Sequence, residues 1–487
     1  MTSPLTSSGA TGPARADPAA ALLRRLDAQR EAFAHGAPDY ARRMDALAAL
    51  RDALSSRSAE LARAVSADFG GRSRDETLTL ELLPLFDQIR HARRHLERWM
   101  RPRRVRSTWF LLPSRAYVLY QPLGVAGVIG AWNYQLLLTL GPVVDALAAG
   151  NHVMLKPSEI TPRTADVIAE LIARHFEPSY VSCVVGGPDV ASAFSSLAFD
   201  HLFFTGSTRV GRLVMKAAAE HLTPVTLELG GKSPAIVHES YPLRTAVERI
   251  AVGKLMNAGQ TCVAPDYVLL PDRKRDEFEQ LYASTVARLY PRLVDNDDYT
   301  RIVSGAHYER LASYVADAQS RGARVVMINP AGERCAADNR VFPPTLVFSP
   351  ADEMLAMQQE IFGPILPVVT YRSVDEAIAF VNARPRPLAL YYFDEHRGRV
   401  DRVLRDTLSG GVTINDCVFH LGQHNLPFGG VGQSGIGHYH GFDGFERFSK
   451  KRAVMVQRRV AATALLRPPY GARTRALLDR LLKLSLR

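Results

Sequence analysis

The sequence predicts an α/β protein built on two doubly wound, Rossmann-like parallel sheets lying side by side. Three observations carry this. From residue 125 onward, short apolar strand-like runs alternate with helical patterns. The alternation starts a second time at about residue 235. The chain has 487 residues, 47% of them apolar, which fits two or three globular domains with a large core. Sheets of this kind place their ligands at the carboxyl ends of the strands.

The elements follow in order. Residues 1–16 are rich in Ser, Thr, Pro, Gly and Ala without a hydrophobic signal core, and read as a floppy tail. Residues 18–100 hold three helical patterns, with apolar positions at Leu22, Leu23 and Leu26, then Met44, Leu47, Leu50 and Leu54. No chemistry is legible there. Residues 115–121 read as a strand or half-hairpin before Pro122. The first alternating run comprises strand 125–129, helix 140–149, strand 152–155, helix 162–175, strand 181–185, strand 202–205, helix 210–220 and strand 225–229. Thr161 suits the N-cap of its second helix, and Pro162 the first helical position. The second run holds helix 244–256, strand 267–270, helix 273–289, strand 324–328, strand 365–371, helix 374–382, strand 389–393 and strand 412–415. Residues 425–444, with glycines at 429, 430, 432, 435 and 437, read as a loop feeding a final strand.

Composition narrows the functional classes. The formal charge is +11, but residues 457–487 carry eight basic side chains and one acidic one, Asp479. The body is only mildly basic, and no nucleic-acid partner is expected. Four cysteines, at 183, 262, 335 and 417, show neither paired nor metal-type spacing. That implies no disulfide framework, no metal site and a reducing, cytoplasmic setting. No apolar run approaches the length of a membrane span. Leu477, Leu478, Leu481, Leu482 and Leu486 interleave with Arg473, Arg475, Arg480, Lys483 and Arg487 as a short basic amphipathic helix. It suits weak contact with an anionic membrane surface, or packing on the protein or a partner subunit, the commoner use of such a stripe.

Cys262 falls in the turn after helix 244–256, which Asn257-Ala258-Gly259 stops. An irregular turn can expose a sulfur and offer free backbone N–H groups to a developing oxyanion; the alternative is a buried cysteine acting as a small hydrophobe. Asn133, in Trp132-Asn133-Tyr134, follows strand 125–129, where an amide can donate to an oxyanion. Lys156 and Glu159 lie just past strand 152–155, as a ligand pair or a solvated ion pair. Thr205, Gly206, Ser207 and Gly211 open a helix after a strand, where unpaired N–H groups can face a pyrophosphate. Glu228 ends a strand before Gly230-Gly231, as a general base or a structural carboxylate. By itself Glu360 is an exposed loop charge. For His420, no nearby set of metal ligands exists.

Gly259-Gln260-Thr261-Cys262, with Leu227-Glu228-Leu229-Gly230-Gly231-Lys232-Ser233-Pro234 and Glu360-Ile361-Phe362-Gly363-Pro364, resembles the NAD(P)-dependent aldehyde dehydrogenase superfamily. The resemblance runs from about Asp17 to Met455. Residues 259–270, 388–393 and 411–430 resemble the class-three group, and within it the bacterial coniferyl aldehyde dehydrogenases. The resemblance implies the aldehyde dehydrogenase fold: an NAD(P)-binding domain (17–110 and 123–234), a catalytic domain (235–424), a small β bridging and oligomerisation element (111–122 and 425–456) and the basic tail (457–487). It implies Cys262 as nucleophile, Asn133 as oxyanion donor and Glu228 as base. Lys156 and Glu159 would hold the adenosine ribose, which leans toward NAD with NADP also accepted. Thr205, Gly206, Ser207 and Gly211 would hold the pyrophosphate. Glu360 and Phe362 would serve the nicotinamide side; Tyr134, Phe419 and His420 would line the aldehyde tunnel, with Asn415, Asp416 and Gln423 on the same loop. Ala131 and Gln135 stand where the family usually has proline, which leaves the stiffness of the Asn133 turn open. The implied activity is oxidation of an aromatic or medium-chain aldehyde to its acid by a homodimer. The alternatives are an enzyme passing its acyl group to coenzyme A, which would not need Glu228, and a catalytically silent dimeric or membrane-surface protein.

Overall fold

The computed structural model describes residues 17–486; the expected floppy tail at 1–16 lies outside them, as does Arg487. Two large sheets have the same winding. In the first, Val125–Ile129 lies between His152–Lys156, followed by Val181–Cys183, on one side and His201–Thr205, followed by Val225–Glu228, on the other. These five strands are parallel, and Gly435–Ile436 adds an antiparallel edge beside Val225–Glu228. In the second sheet Pro234–Val237 lies between Tyr267–Pro271 and Ala389–Phe393. Ile365–Tyr371, Thr345–Phe348 and the antiparallel Arg324–Met327 extend one side, and Gly411–Ile414 the other. Each strand order reverses at its first strand, and a crevice opens at such a reversal.

Strands buried on both faces read as unbroken apolar runs. Val125–Ile129 and Ala389–Phe393 are buried along their whole length, and their bounds match the expected ones. One apolar cluster includes Val128 and Phe203 of the first sheet and Val268 and Leu366 of the second. It fixes the two sheets against each other, and with them the strand ends that carry the site.

Four features depart from the sequence reading. The three helical patterns of residues 18–100 are four longer helices, Pro18–Ala34, Tyr40–Ser56, Ser58–Phe69 and Leu83–Met100, plus a short helix Arg74–Thr77 and a π turn Leu78–Leu82. Gly70, in the left-handed region at φ 69°, ends the third, and Ser73 caps the next. Thr161 makes no capping bond. Asp68 does that work from a neighbouring helix, accepting from Arg163 N (3.1 Å) and Thr164 N (2.9 Å), because a carboxylate suits the positive end of a helix. The third sheet, antiparallel, joins Arg115–Pro122 to Ser449–Val456 and also takes Arg103–Val105 from the stretch read as cofactor domain. Conversely Gly435–Ile436, read as bridging element, belongs to the first sheet, and the loop 425–444 runs into a helix, Gly441–Arg447. Helices Pro188–Ser195, Gly305–Ser320 and Arg397–Asp406 and strand Thr345–Phe348 were not expected. Arg397–Asp406 has only a short apolar stripe, Val400 and Val403, set among four arginines and two aspartates.

Candidate active site

The three motifs converge at one point. Helix Leu243–Leu255 ends in a turn where Asn257, Ala258 and Gly259 are all left-handed, at φ 52°, 51° and 75°. Two of these are not glycine, and such strain gathers at functional sites. Gly259 is required twice over: a Cβ there would stand 2.3 Å from the carbonyl oxygen of Gly363. A Cβ on Gly230 would lie 2.2 Å from the Glu360 carboxylate. Gly230 and Gly259 therefore mark where one motif touches the next. Lys232 completes the assembly: its ammonium pairs with Asp266 and donates to Ala356 O (2.7 Å) and Gln359 O (3.1 Å), while Asp266 accepts from Ile361 N (2.9 Å).

Cys262 sits half-buried in the following turn. Burial pushes its thiol well above the ordinary value, and the Glu228 and Glu360 carboxylates add to the shift; the N–H groups of Cys262 and Val263 oppose it. Glu228 is fully buried with neither oxygen hydrogen-bonded. Its backbone is clamped, its carbonyl accepting from Gly206 N (3.0 Å), and it pairs across the sheet with Gly435. Burial first, then the charge of Glu360, raises its carboxyl well above the usual range. Glu360 rises to about 8, again by burial. Both shifts favour the protonated carboxyl, which weakens its repulsion of a thiolate, and make each carboxylate a stronger base once ionised.

Asn133 is buried at the end of Val125–Ile129, and its amide donates to Gln260 O (3.2 Å), two residues before Cys262. Tyr134 is buried beside the same turn, its hydroxyl 2.7 Å from Thr261 Oγ1. His420 is half-buried, with Nδ1 2.9 Å from Thr413 Oγ1, and burial lowers it to about 4, so it is neutral. Its ring lies 6.3 Å from that of Tyr391, whose hydroxyl donates to Val263 O. Phe419 stands apart from this group on an exposed turn, 54% accessible.

The residues present fit a dinucleotide. Buried Lys156 pairs with Glu159 at 2.8 Å on the strand end. Thr205 Oγ1 and Glu360 Oε1 are buried without a partner. Ser207 caps helix Thr208–Ala219, accepting from Val210 N, so its hydroxyl is already engaged. Gly211, one turn in, has a packing role: a Cβ would meet Leu229 at 2.7 Å. The Phe362 ring packs 5.2 Å from Trp132, beside Asn133. No group of three or more His, Cys, Asp or Glu able to hold a metal occurs among the described residues.

Sequence reasoning passed over Arg72, Glu76 and Glu81. Arg72 Nη1 donates to Glu81 Oε1 (2.8 Å), Asn133 O (3.1 Å) and Gln135 Oε1 (3.3 Å). Glu76 Oε1 accepts from Asn257 N (2.9 Å). One signal was present: Glu81 interrupts the run Leu78, Leu80, Leu82, Leu83, and a carboxylate in such a run needs a buried partner.

Comparison with known proteins agrees with this geometry. The profile described as Aldehyde dehydrogenase family matches residues 2–454. The chain is 50% identical over 444 residues to the probable coniferyl aldehyde dehydrogenase of Pseudomonas aeruginosa, covering 91% of this chain and 92% of that one. It is 47% identical over 425 residues to the coniferyl aldehyde dehydrogenase of a Pseudomonas species, at 87% and 88% coverage. Among solved structures, the substrate-bound Staphylococcus aureus AldH superposes with a TM-score of 0.89 at 37% identity, over 94% of this chain and 99% of that one. A Mycobacterium tuberculosis aldehyde dehydrogenase complexed with NAD+ gives 0.81 at 29% identity, over 91% of each chain.

Proposed function

The chain belongs to the aldehyde dehydrogenase family and oxidises aldehydes with NAD(P)+, and from that premise we propose that Cys262, Asn133 and Glu228 carry the reaction and that its substrate is an aromatic aldehyde of the coniferyl type. The observation that carries the reading is that the Glu228 and Glu360 carboxylates both act on the Cys262 thiol, at a site where loss of solvent around the ionising groups raises all three above their usual ranges.

The Cys262 thiol gives up its proton to solvent, its sulfur bonds to the carbonyl carbon as the C=O π electrons move onto oxygen, and the new oxyanion is met by the Cys262 N–H and the Asn133 amide. Bound NAD(P)+ supplies the acceptor for the hydride that leaves this carbon. What remains on Cys262 is a thioester. Glu228 takes a proton from water, the water oxygen bonds to the acyl carbon, the C–S bond breaks, and the acid leaves with the thiol restored. The buried base supports release to water over transfer to coenzyme A. Lys156 and Glu159 suit the adenosine ribose, and a carboxylate there favours NAD over a 2′-phosphate.

The substrate reading rests on the names of the two Pseudomonas relatives. A panel of aldehydes with NAD+ and NADP+ tests it: coniferyl aldehyde is expected to have the highest kcat/KM, with rate and product unchanged by coenzyme A. A hexanal preference of tenfold or more would overturn the substrate, and a coenzyme A thioester product would overturn the hydrolytic step.

The unpaired edges at Gly411–Ile414 and Ser449–Val456 support a homodimer in which one copy's edge extends the other's sheet. Four unpaired thiols support a reducing, cytoplasmic setting. No helix among the described residues is long and apolar enough to cross a membrane. Helix Ala472–Ser485 has no buried residue. Ala462 N, just ahead of it, donates to Leu112 O (3.3 Å), beside exposed Trp109 and Phe110. Between 101 and 115 there are five arginines and no acidic residue, so this segment and the basic tail account for the chain's excess positive charge. An apolar surface so charged suits an anionic bilayer. Vesicles containing phosphatidylglycerol are expected to float the protein at low salt, whereas phosphatidylcholine vesicles and 0.5 M salt (about a 4 Å screening length) do not. Equal flotation on both lipids, or none on either, contradicts the contact.

A further inference from the structure

We infer that Arg72, Glu76 and Glu81 form a positioning device that holds the Asn133 turn in register with the cysteine turn, and that in this chain it replaces the proline stiffening of that turn. The inference rests on the reading of Asn133 as oxyanion donor.

Arg72 and Glu81 form an ion pair with both side chains fully buried. Such a pair is seldom worth its desolvation as a stabiliser, so what it holds is the informative part. Arg72 holds the carbonyl of Asn133 and the side chain of Gln135. Glu81 Oε2 accepts from Leu136 N (2.7 Å) and Leu137 N (3.3 Å), at the start of helix Leu137–Ala149. One ion pair thus fixes residues 133, 135, 136 and 137. The guanidinium lies 4.9 Å from the Tyr134 ring and 5.4 Å from that of Phe69.

The cysteine turn is held from the same segment. Glu76 Oε1 accepts from Asn257 N and Oε2 from Thr300 Oγ1 (2.7 Å). Asn257 Nδ2 then donates to both Asn133 O (3.0 Å) and Gln260 O (3.1 Å), and the Asn133 amide returns to Gln260 O. Residues five apart on a regular helix point about 140° from each other. The π turn Leu78–Leu82, with its wider winding, narrows that angle and lets Glu76 and Glu81 serve adjoining turns. Gln135 ties the device to this chain. A proline there would stiffen the turn by itself and offer Arg72 no acceptor; glutamine does the reverse.

A double-mutant cycle tests the inference, read by single-turnover NADH formation. Arg72→Lys keeps the charge but loses the fork. It is expected to slow hydride transfer about tenfold, since ångström misplacement of a catalytic group costs that much or more. Cofactor Kd and the rate of Cys262 alkylation by iodoacetamide should stay as they were. In an Asn133→Ala background the same substitution is expected to cost under twofold, because no donor is left to misaim. Gln135→Pro is expected to restore most of the rate lost in Arg72→Lys. If Arg72→Lys does not fold, Gln135→Leu, which leaves the ion pair intact, takes its place in the cycle. Equal losses with and without Asn133 overturn the inference alone. A loss in Arg72→Lys beside none in Asn133→Ala overturns the donor reading as well.

Discussion

Cys262→Ala oxidises no aldehyde and still binds NAD+. The substitution removes the atom that forms the bond, so no fraction of the covalent route survives. It leaves the groups that suit the cofactor, Lys156, Glu159 and Thr205, untouched. The other three thiols are replaceable. Cys183 ends a strand of the first sheet, and burial pushes it up to about 12. Cys417 is packed in the main core, where burial also raises it strongly. Cys335 lies beside Asn329, in a cluster with Leu293 and Tyr299. Cys262 differs in having two N–H groups, its own and that of Val263, that favour the thiolate, where Cys183 has one, from Val184. Steady-state assays of the four alanine variants, with NAD+ binding followed by calorimetry, check this. A loss in Cys417→Ala as complete as in Cys262→Ala would remove the assignment.

Glu228→Gln has the second largest effect. A positioned general base contributes on the order of a hundredfold to ten-thousandfold, and steady turnover should fall by that much. The fall is confined to release of the acid. Hydride transfer needs Cys262 and its oxyanion donors, so rapid mixing should show a burst of NADH near one equivalent per active site, then a slow phase. The pH dependence has a definite sign. Burial raises the Glu228 carboxyl above the ordinary carboxylate range, so its basic form is reached only at higher pH, and wild-type acid release should quicken as pH rises through that raised value. In Glu228→Gln that rise is lost. A slowed burst would instead place Glu228 in activating the thiol.

The parts of this fold legible in the sequence are those where one physical demand dominates. Central strands such as Val125–Ile129 and Ala389–Phe393 are buried on both faces, so their residues are uniformly apolar. The motif glycines were visible because Gly230 and Gly259 lie where another backbone or carboxylate passes within about one atom's width. Arg72, Glu76 and Glu81 were not, because each is defined by partners 55 to 224 residues away; Glu81 inside a leucine run signals that a buried partner exists, but not which one. Ser207 shows the converse limit: its place at a helix mouth was legible, but the N–H it caps was not. The helix Arg397–Asp406 escaped because its apolar stripe, Val400 and Val403, is short and set among charges.

The central claim is an acyl group carried on Cys262 and freed by water that Glu228 activates. Intact-protein mass spectrometry of the Glu228→Gln variant tests it most directly, with the sample acid-quenched after one turnover with coniferyl aldehyde and NAD+. The account predicts a mass increase equal to the coniferyl acyl group, located on Cys262 by peptide mapping and absent from Glu228→Gln/Cys262→Ala. An unmodified protein accompanied by a full NADH burst would contradict it.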